Sequence, residues 1–335
     1  MPNAQAQLRI DPAEQVTLGE LPIIDVSGLL SDDMARRQAV AADLRSACRG
    51  TGFFYITNHG VDPALLAATF AESKRFFSQP VELKNRVHIS NTDVFRGYDG
   101  PGTESLNREM GADNKESMYM GVDLPPDHPL VLARTPQLGA NQWPDWLPGW
   151  REQIELYFST MERLARRLLA GLALSLDLPW TYFEAPFTGG MFAVRLLHYP
   201  PSARSRAGEE VGAGAHTDFG AMTILAQDDI GGLEVRLPSG RWIAATPVPG
   251  AFVVNLGDLM ARWTNDIYTS TLHRVVNRSE GADRYSIAFF SNAGFHTPIE
   301  CLPTCRSADR PPRYAPTTAG GHLVEMKTRS YGHAD

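Results

Sequence analysis

Two patterns of hydrophobic and polar positions divide this chain near residue 190. Before that point the apolar positions mostly recur at helical spacing; after it they fall in short runs separated by turns. Leu21-Pro22-Ile23-Ile24-Asp25-Val26 predicts a short strand. Ala35 to Arg49 predicts a helix, with Ala39, Val40, Leu44 and Ala47 on one side. Gly52-Phe53-Phe54-Tyr55-Ile56 reads as a buried strand closed by the turn Asn58-His59-Gly60. A second helix is predicted from Pro63 to Phe77, ending before Pro80. From Trp150 to Leu176 a stripe of Ile154, Phe158, Met161, Leu164, Leu168 and Leu172 predicts a long core helix. Residues 80 to 150 are rich in Gly, Pro, Asn and Asp and predict loops lining the mouth of a site.

The second half predicts eight strands, at 192–199, 213–218, 222–227, 233–237, 242–246, 251–256, 269–277 and 284–291. Pro238-Ser239-Gly240 marks a hairpin turn between two of them. Strands following a helical first half predict an α+β fold: a double-stranded β-helix, or jelly roll, braced by helices. The expected organisation is a loose arm over 1–20, a helical and mixed region over 21–190 and a catalytic core over 191–300. The mixed region and the core are expected to form one structural unit. A tail over 301–335 is expected to turn helical near Leu323 to Arg329 and to be able to fold back over the barrel mouth.

Composition narrows the class. With 335 residues, 43% hydrophobic and 21% charged, the chain can bury a large core. A net charge of −7 with no basic run argues against a nucleic-acid partner. Neither a signal-peptide pattern nor an apolar run of membrane-spanning length stands out. Cys48, Cys301 and Cys305 are too few for a disulfide framework, so a cytoplasmic enzyme acting on a small molecule is expected.

The chemistry concentrates at Gly214-Ala215-His216-Thr217-Asp218-Phe219-Gly220. On an extended strand His216 and Asp218 would share a face. With a second imidazole from His273 they would form a 2-His-1-carboxylate triad, the set that holds non-haem Fe(II) and leaves positions open. On the strand 192–199, Arg195 and Tyr199 should face the lumen, opposite Phe192, Val194, Leu196 and His198. On the last strand, Arg284 and Ser286 should face inward, opposite Tyr285, Ile287 and Phe289. Arg284 suits the far carboxylate of an oxo-acid such as 2-oxoglutarate, because guanidinium binds carboxylate with two parallel hydrogen bonds. Ser286 would add a hydroxyl donor and Tyr199 a second. His59, His88, His128, His296, His322 and His333 read as ordinary structural histidines.

Those residues carry a resemblance. His216-Thr217-Asp218, His273 and Arg284-Tyr285-Ser286 resemble the motifs of isopenicillin N synthase-like 2-oxoglutarate/Fe(II)-dependent dioxygenases. Asn58-His59-Gly60 and Tyr199-Pro200-Pro201 extend the likeness over nearly the whole chain. The resemblance implies Fe(II) on His216, Asp218 and His273, 2-oxoglutarate on Arg284, Ser286 and Tyr199, and O2 as the oxidant. Leu197 departs from the Asn that many plant members carry there. Arg195-Leu196-Leu197-His198-Tyr199, Lys115 to Gly121, Asn141-Gln142-Trp143-Pro144 and Glu300 to Cys305 are similar to the branch containing homoarginine hydroxylase. The bacterial ethylene-forming enzyme is a more distant likeness.

The expected activity is therefore hydroxylation of a small molecule with release of succinate and CO2, the substrate being an arginine-like cationic amino acid. Arg195, Glu104, Phe219, Arg96 and Tyr98 are the candidate substrate contacts. A 2-oxoglutarate-independent oxidase or cyclase, an ethylene-forming-type enzyme and a non-catalytic jelly-roll binding protein are the alternatives on the same scaffold.

Overall fold

The structure, a computed structural model, describes residues 21–103, 113–201, 211–276 and 281–331. Two β-sheets face one another, and helices cover the outer side of the larger. The first half contributes strands β1 (Ile23–Asp25), β2 (Phe53–Thr57), β3 (Gly97–Asp99) and β4 (Glu116–Gly121). The second half contributes β5 (Ala193–Tyr199), β6 (Val211–His216), β7 (Met222–Gln227), β8 (Leu233–Arg236) and β9 (Trp242–Ala244). It continues with β10 (Phe252–Leu256), β11 (His273–Val276) and β12 (Arg284–Ser291). The large sheet runs β1-β2-β10-β7-β12-β5-β4-β3, and the small one β6-β11-β8-β9. A two-stranded ribbon, β13 (Pro298–Ile299) with β14 (Thr317–Thr318), leads into the tail.

The three longest helices form where the apolar spacing predicts them. Asp33 caps α1 (Met34–Arg49) by accepting from the Ala35 amide at 2.9 Å. Asp62 caps α2 (Pro63–Phe77) in the same way, and Pro63 supplies a preset first turn. Single turns α3 (Val81–Lys84) and α4 (Pro129–Leu132) precede α5 (Trp150–Ser175). Ile154, Met161, Leu164, Leu168 and Leu172 of α5 pack into a core with Val194, Leu196, Ile287 and Phe289 from the outer face of the large sheet. Each such side chain contributes roughly 1.5–3 kcal/mol by leaving water. The alternate residues Leu197, Tyr199 and Ala288 join a second core between the sheets, with Ala213, Leu233, Val235 and Val275 from the small sheet.

Four details depart from expectation. The supposedly irregular 80–150 region contains β3 and β4, which extend the large sheet past β5. Glu116 to Gly121 hides its strand character because both faces are covered, so polar and apolar residues do not alternate. A short helix, α6 (Asp258–Trp263), fills the connection between β10 and β11. Strand β6 ends at His216, so Asp218 stands in the turn beyond it. The tail helix α7 (Ala319–Tyr331) starts earlier than expected, and it packs behind the turn 218–220 instead of over the mouth. There His322 bonds to the Phe219 carbonyl at 3.1 Å.

Candidate active site

A cavity of about 80 Å³ lies between the two sheets. His216 and His273 are cross-strand partners on β6 and β11, with ring centroids 4.3 Å apart. Each ring holds its Nδ1 against a backbone carbonyl two residues earlier in the chain. Gly214 O lies 2.7 Å from His216 Nδ1, and Thr271 O lies 3.1 Å from His273 Nδ1. A carbonyl only accepts, so both Nδ1 atoms carry the proton and both Nε2 atoms present a lone pair.

Those lone pairs face Asp218 Oδ1 at 3.8 and 3.7 Å. The other carboxylate oxygen, Oδ2, is held by Thr223 Oγ1 at 2.5 Å and Asn255 Nδ2 at 2.7 Å. The three ligand atoms lie within 4.8 Å of one another. Burial, and next the neighbouring His273, push the His216 pKa down to about 4. Burial alone would raise the Asp218 carboxyl, yet the two imidazoles and the bonds from Asn255 and Thr223 hold it below its ordinary range. Two imidazoles with Nε2 forward and a carboxylate thus converge with no hydrogen bond between them. Such a cluster of lone pairs is stabilised by a cation, and the N,N,O donor set suits Fe(II).

The turn carrying Asp218 is braced from behind. The Asp258 amide donates to the Asp218 carbonyl at 2.8 Å, and the Asp258 carboxylate accepts from Thr217 Oγ1 at 2.9 Å. Gly257 permits this approach, since a Cβ there would stand 2.5 Å from the Asp218 carbonyl oxygen. Burial raises the Asp258 carboxyl above its ordinary value.

Across the cavity, Arg284 is wholly buried. Its Nε donates to the Gly231 carbonyl, Nη1 to Ser286 Oγ at 3.2 Å and Nη2 to Gln227 Oε1 at 3.4 Å. The guanidinium carbon lies 4.7 Å from the centre of the Tyr199 ring. Among the described residues no carboxylate makes an ion pair with it, and Asp228 is the one near enough to feel its charge. A buried cation held by neutral groups is a site for an anionic ligand.

The cavity wall between these groups also carries Lys115 and Arg195. Lys115 forms a buried ion pair with Asp113, which in turn accepts from the Gly214 amide at 3.0 Å. Arg195 Nε donates to Ser117 Oγ at 3.0 Å, with Asp99 Oδ2 3.9 Å from its Nη2. Leu197, Leu225, Leu233 and Val275 close the remaining wall with apolar surface.

The structure brings together His216, Asp218, His273, Arg284, Ser286, Tyr199 and Arg195. It places three other candidates elsewhere. Tyr98 lies opposite Met118 in the register of β3 on β4, and both point to the helical side. There the Tyr98 hydroxyl donates to Glu116 Oε2 at 2.7 Å. Arg96 is buried over the Tyr119 ring and donates to the Gln137 carbonyl at 2.8 Å. Phe219 follows Asp218 after the chain has turned, so its ring packs into the helical core. Glu104 lies outside the described residues. Sequence reasoning missed Thr223, Gln227, Asn255 and Asp258. Of these, Asn255 had a usable signal: it is the single polar residue in Phe252-Val253-Val254-Asn255-Leu256.

A jelly roll holding a His/Asp/His cluster opposite a buried arginine defines a non-haem iron oxygenase with an oxo-acid co-substrate. A family model described as 2OG-Fe(II) oxygenase superfamily matches residues 191–293. A second, described as non-haem dioxygenase in morphine synthesis N-terminal, matches residues 21–146. The chain is 38% identical to the 2-oxoglutarate-Fe(II) type oxidoreductase hxnY of Emericella nidulans, over 94% of this chain and 91% of that one. It is 36% identical to homoarginine-6-hydroxylase of Oryza sativa subsp. japonica, covering 91% of this chain and 95% of that one. The crystal structure of a full-length Neurospora crassa protein in complex with alpha-KG superposes with a TM-score of 0.81 at 31% identity, covering 93% and 98% of the two chains. The chain belongs to the isopenicillin N synthase-like 2-oxoglutarate/Fe(II) oxygenases. It is a dioxygenase that uses Fe(II), 2-oxoglutarate and O2 to oxidise a small molecule. Among the described residues no helix is long and apolar enough to cross a membrane.

Proposed function

We propose that this dioxygenase hydroxylates a small carboxylate-bearing molecule, with Fe(II) on His216, Asp218 and His273 and 2-oxoglutarate on Arg284, Ser286 and Tyr199. The observation that carries the assignment is the buried Arg284 guanidinium, held by neutral groups on the same cavity as the triad. Held by His216, Asp218 and His273, Fe(II) would supply O2-dependent decarboxylation of 2-oxoglutarate to succinate and CO2, coupled to oxidation of a substrate C–H bond. The residues of the chain do the positioning. The carbonyls of Gly214 and Thr271 fix both imidazoles with Nε2 forward, and Asn255 and Thr223 leave Asp218 Oδ1 as the free oxygen. Arg284 and Ser286 fix the far carboxylate of the co-substrate, and Tyr199 covers the guanidinium plane. The apolar wall keeps bulk water from the reacting atoms.

For the substrate, Arg195 and Lys115 favour an anionic or carbonyl-bearing end. Among the described residues that line the cavity, Asp218 is the one carboxylate. An amino acid of the arginine or homoarginine kind fits through its α-carboxylate on Arg195, and the likeness to the rice homoarginine-6-hydroxylase supports that class. We infer also that residues 21–190 and 191–300 work as one unit, since β1 to β4 belong to the sheet that carries Arg284. A cytoplasmic enzyme on a free metabolite, without nucleic-acid or membrane partners, is supported by the net charge of −7 and three unpaired thiols.

The test is anaerobic loading with Fe(II), then O2 addition with and without 2-oxoglutarate, scoring succinate. A mass-spectrometric screen of arginine, homoarginine, lysine and uncharged controls then scores a one-oxygen gain. Succinate together with an oxygenated amino acid is expected. Oxygen consumption without succinate would overturn the assignment of Arg284. Oxygenation of uncharged compounds alone would overturn the substrate class.

A further inference from the structure

We propose that His198 is a positioning residue for the 2-oxoglutarate anchor, clamping the ends of β5 and β12 from the outer face of the large sheet. This rests on the assignment of Arg284 and Tyr199 to the co-substrate. Arg284 and Tyr199 are direct cross-strand partners at those strand ends. One residue away, His198 pairs with Tyr285 on β12 and with Glu116 on β4, so it is central to three strands.

Its ring makes two bonds to carboxylates. Nδ1 lies 2.7 Å from Glu116 Oε1, and Nε2 lies 2.7 Å from Asp283 Oδ1. An ionised carboxylate only accepts, and a neutral imidazole has one N–H, so both bonds exist only when the ring is protonated. Asp283 immediately precedes Arg284, and Glu116 is itself held by Lys84 Nζ at 2.6 Å and by the Tyr98 hydroxyl. The chain Lys84–Glu116–His198–Asp283 therefore ties the start of β12 to β5, β4 and α3.

The His198 ring stacks on Tyr285 at 4.7 Å and packs near Phe77. Lys74 lies 5.3 Å from the centre of the Tyr285 ring, and Asp228 accepts from the Tyr285 amide. These are the charged groups that face the clamp from the adjoining elements. Burial alone would make His198 harder to protonate, but Glu116 and Asp283 override it and raise its pKa above the ordinary value. The sign follows. The doubly bonded ring is present below the raised value and is lost as pH rises past it. One bond then fails, and the half-exposed Asp283 is the partner that water can replace.

His198→Phe keeps the stacking and removes both bonds, while Glu116 retains Lys84 and Tyr98. Asp283→Asn weakens the clamp from its exposed end and leaves the core intact. Succinate release and anaerobic calorimetry across pH would read 2-oxoglutarate affinity, with Fe(II) affinity titrated separately. Both variants should bind 2-oxoglutarate about tenfold more weakly at neutral pH. Iron affinity and the rate at saturating 2-oxoglutarate should hold. The wild type should lose 2-oxoglutarate affinity with rising pH, and His198→Phe should lack that dependence. Wild-type affinity in both variants, or iron and rate falling together with it, would overturn the proposal. If His198→Phe does not fold, Asp283→Asn decides. Arg284→Lys serves as the control: weak binding there with normal binding in the clamp variants rejects the clamp alone. Normal binding in Arg284→Lys rejects the anchor itself.

Discussion

Asp218 and Asn255 meet at 2.7 Å, the Asn255 side-chain amide donating to Oδ2 and leaving Oδ1 turned toward both histidines. Asn255 sits on β10 of the large sheet, whereas the histidines are on the small one, so this bond sets the carboxylate across the gap between sheets. Outer groups that orient a metal ligand typically change metal affinity about 10- to 100-fold. Asn255→Ala should therefore weaken Fe(II) binding by roughly tenfold or more. Anaerobic Fe(II) titration checks it, and unchanged affinity would reject the orienting role.

The triad itself gives a sharper expectation. His216→Ala, Asp218→Ala and His273→Ala should each lose iron retention and turnover. Two remaining ligands hold Fe(II) poorly against water. The fold should survive, because the three side chains line a cavity whose walls are closed by Leu197, Leu225, Leu233 and Val275. Metal content after desalting, with circular dichroism as the fold control, decides. Normal iron content and turnover in any one variant removes that residue from the set.

For Arg284, truncation leaves the co-substrate carboxylate unpaired in a buried place, a loss of about 3–5 kcal/mol. That corresponds to roughly a hundred- to several-thousand-fold in 2-oxoglutarate affinity. Arg284→Lys should recover only part, because a point charge cannot make the two-pronged bond to carboxylate or the same contact with Tyr199. Half-saturation in succinate release is the measurement. Equal values for wild type and Arg284→Ala would place the anchor elsewhere.

Much of this is legible in the sequence, for identifiable reasons. Inward and outward residues on β5 and β12 can be sorted because burial on one side and a polar lumen on the other impose a period of two. His216 and Asp218 can be paired from their spacing, but strand alternation is the wrong reason. Asp218 reaches the site because the chain leaves β6 and turns, under a brace from Asp258 on a helix that no apolar pattern announces. Tyr98 turns to the helical side through the register of β3 against β4, a pairing between strands of three and six residues, while Arg96 just before β3 lies over the Tyr119 ring. Registers that short leave no periodicity to read. The same turn sends Phe219 against the helical core, since adjacency along the chain says little once the backbone turns.

The last expectation concerns Arg195 and the substrate. Arg195 lies on β5 four residues before Tyr199, so both face the cavity, and its guanidinium reaches Ser117 on β4. Asp99 stands 3.9 Å away. A guanidinium carries several N–H donors, so it can hold such neighbours and a ligand carboxylate at once. If the substrate carboxylate docks there, arginine and homoarginine should be oxidised and agmatine, which is arginine without its carboxylate, should not. Arg195→Ala should lower kcat/KM for the amino acid by about a hundredfold, on the order of 3 kcal/mol of lost transition-state binding. Half-saturation for 2-oxoglutarate should stay at the wild-type value, because Arg284 is untouched. Substrate-free succinate release should persist for the same reason. That split between the two ligands separates a substrate contact from general damage to the barrel. Equal oxidation of agmatine and arginine, or an Arg195→Ala variant as efficient as wild type, would show that the carboxylate is bound elsewhere.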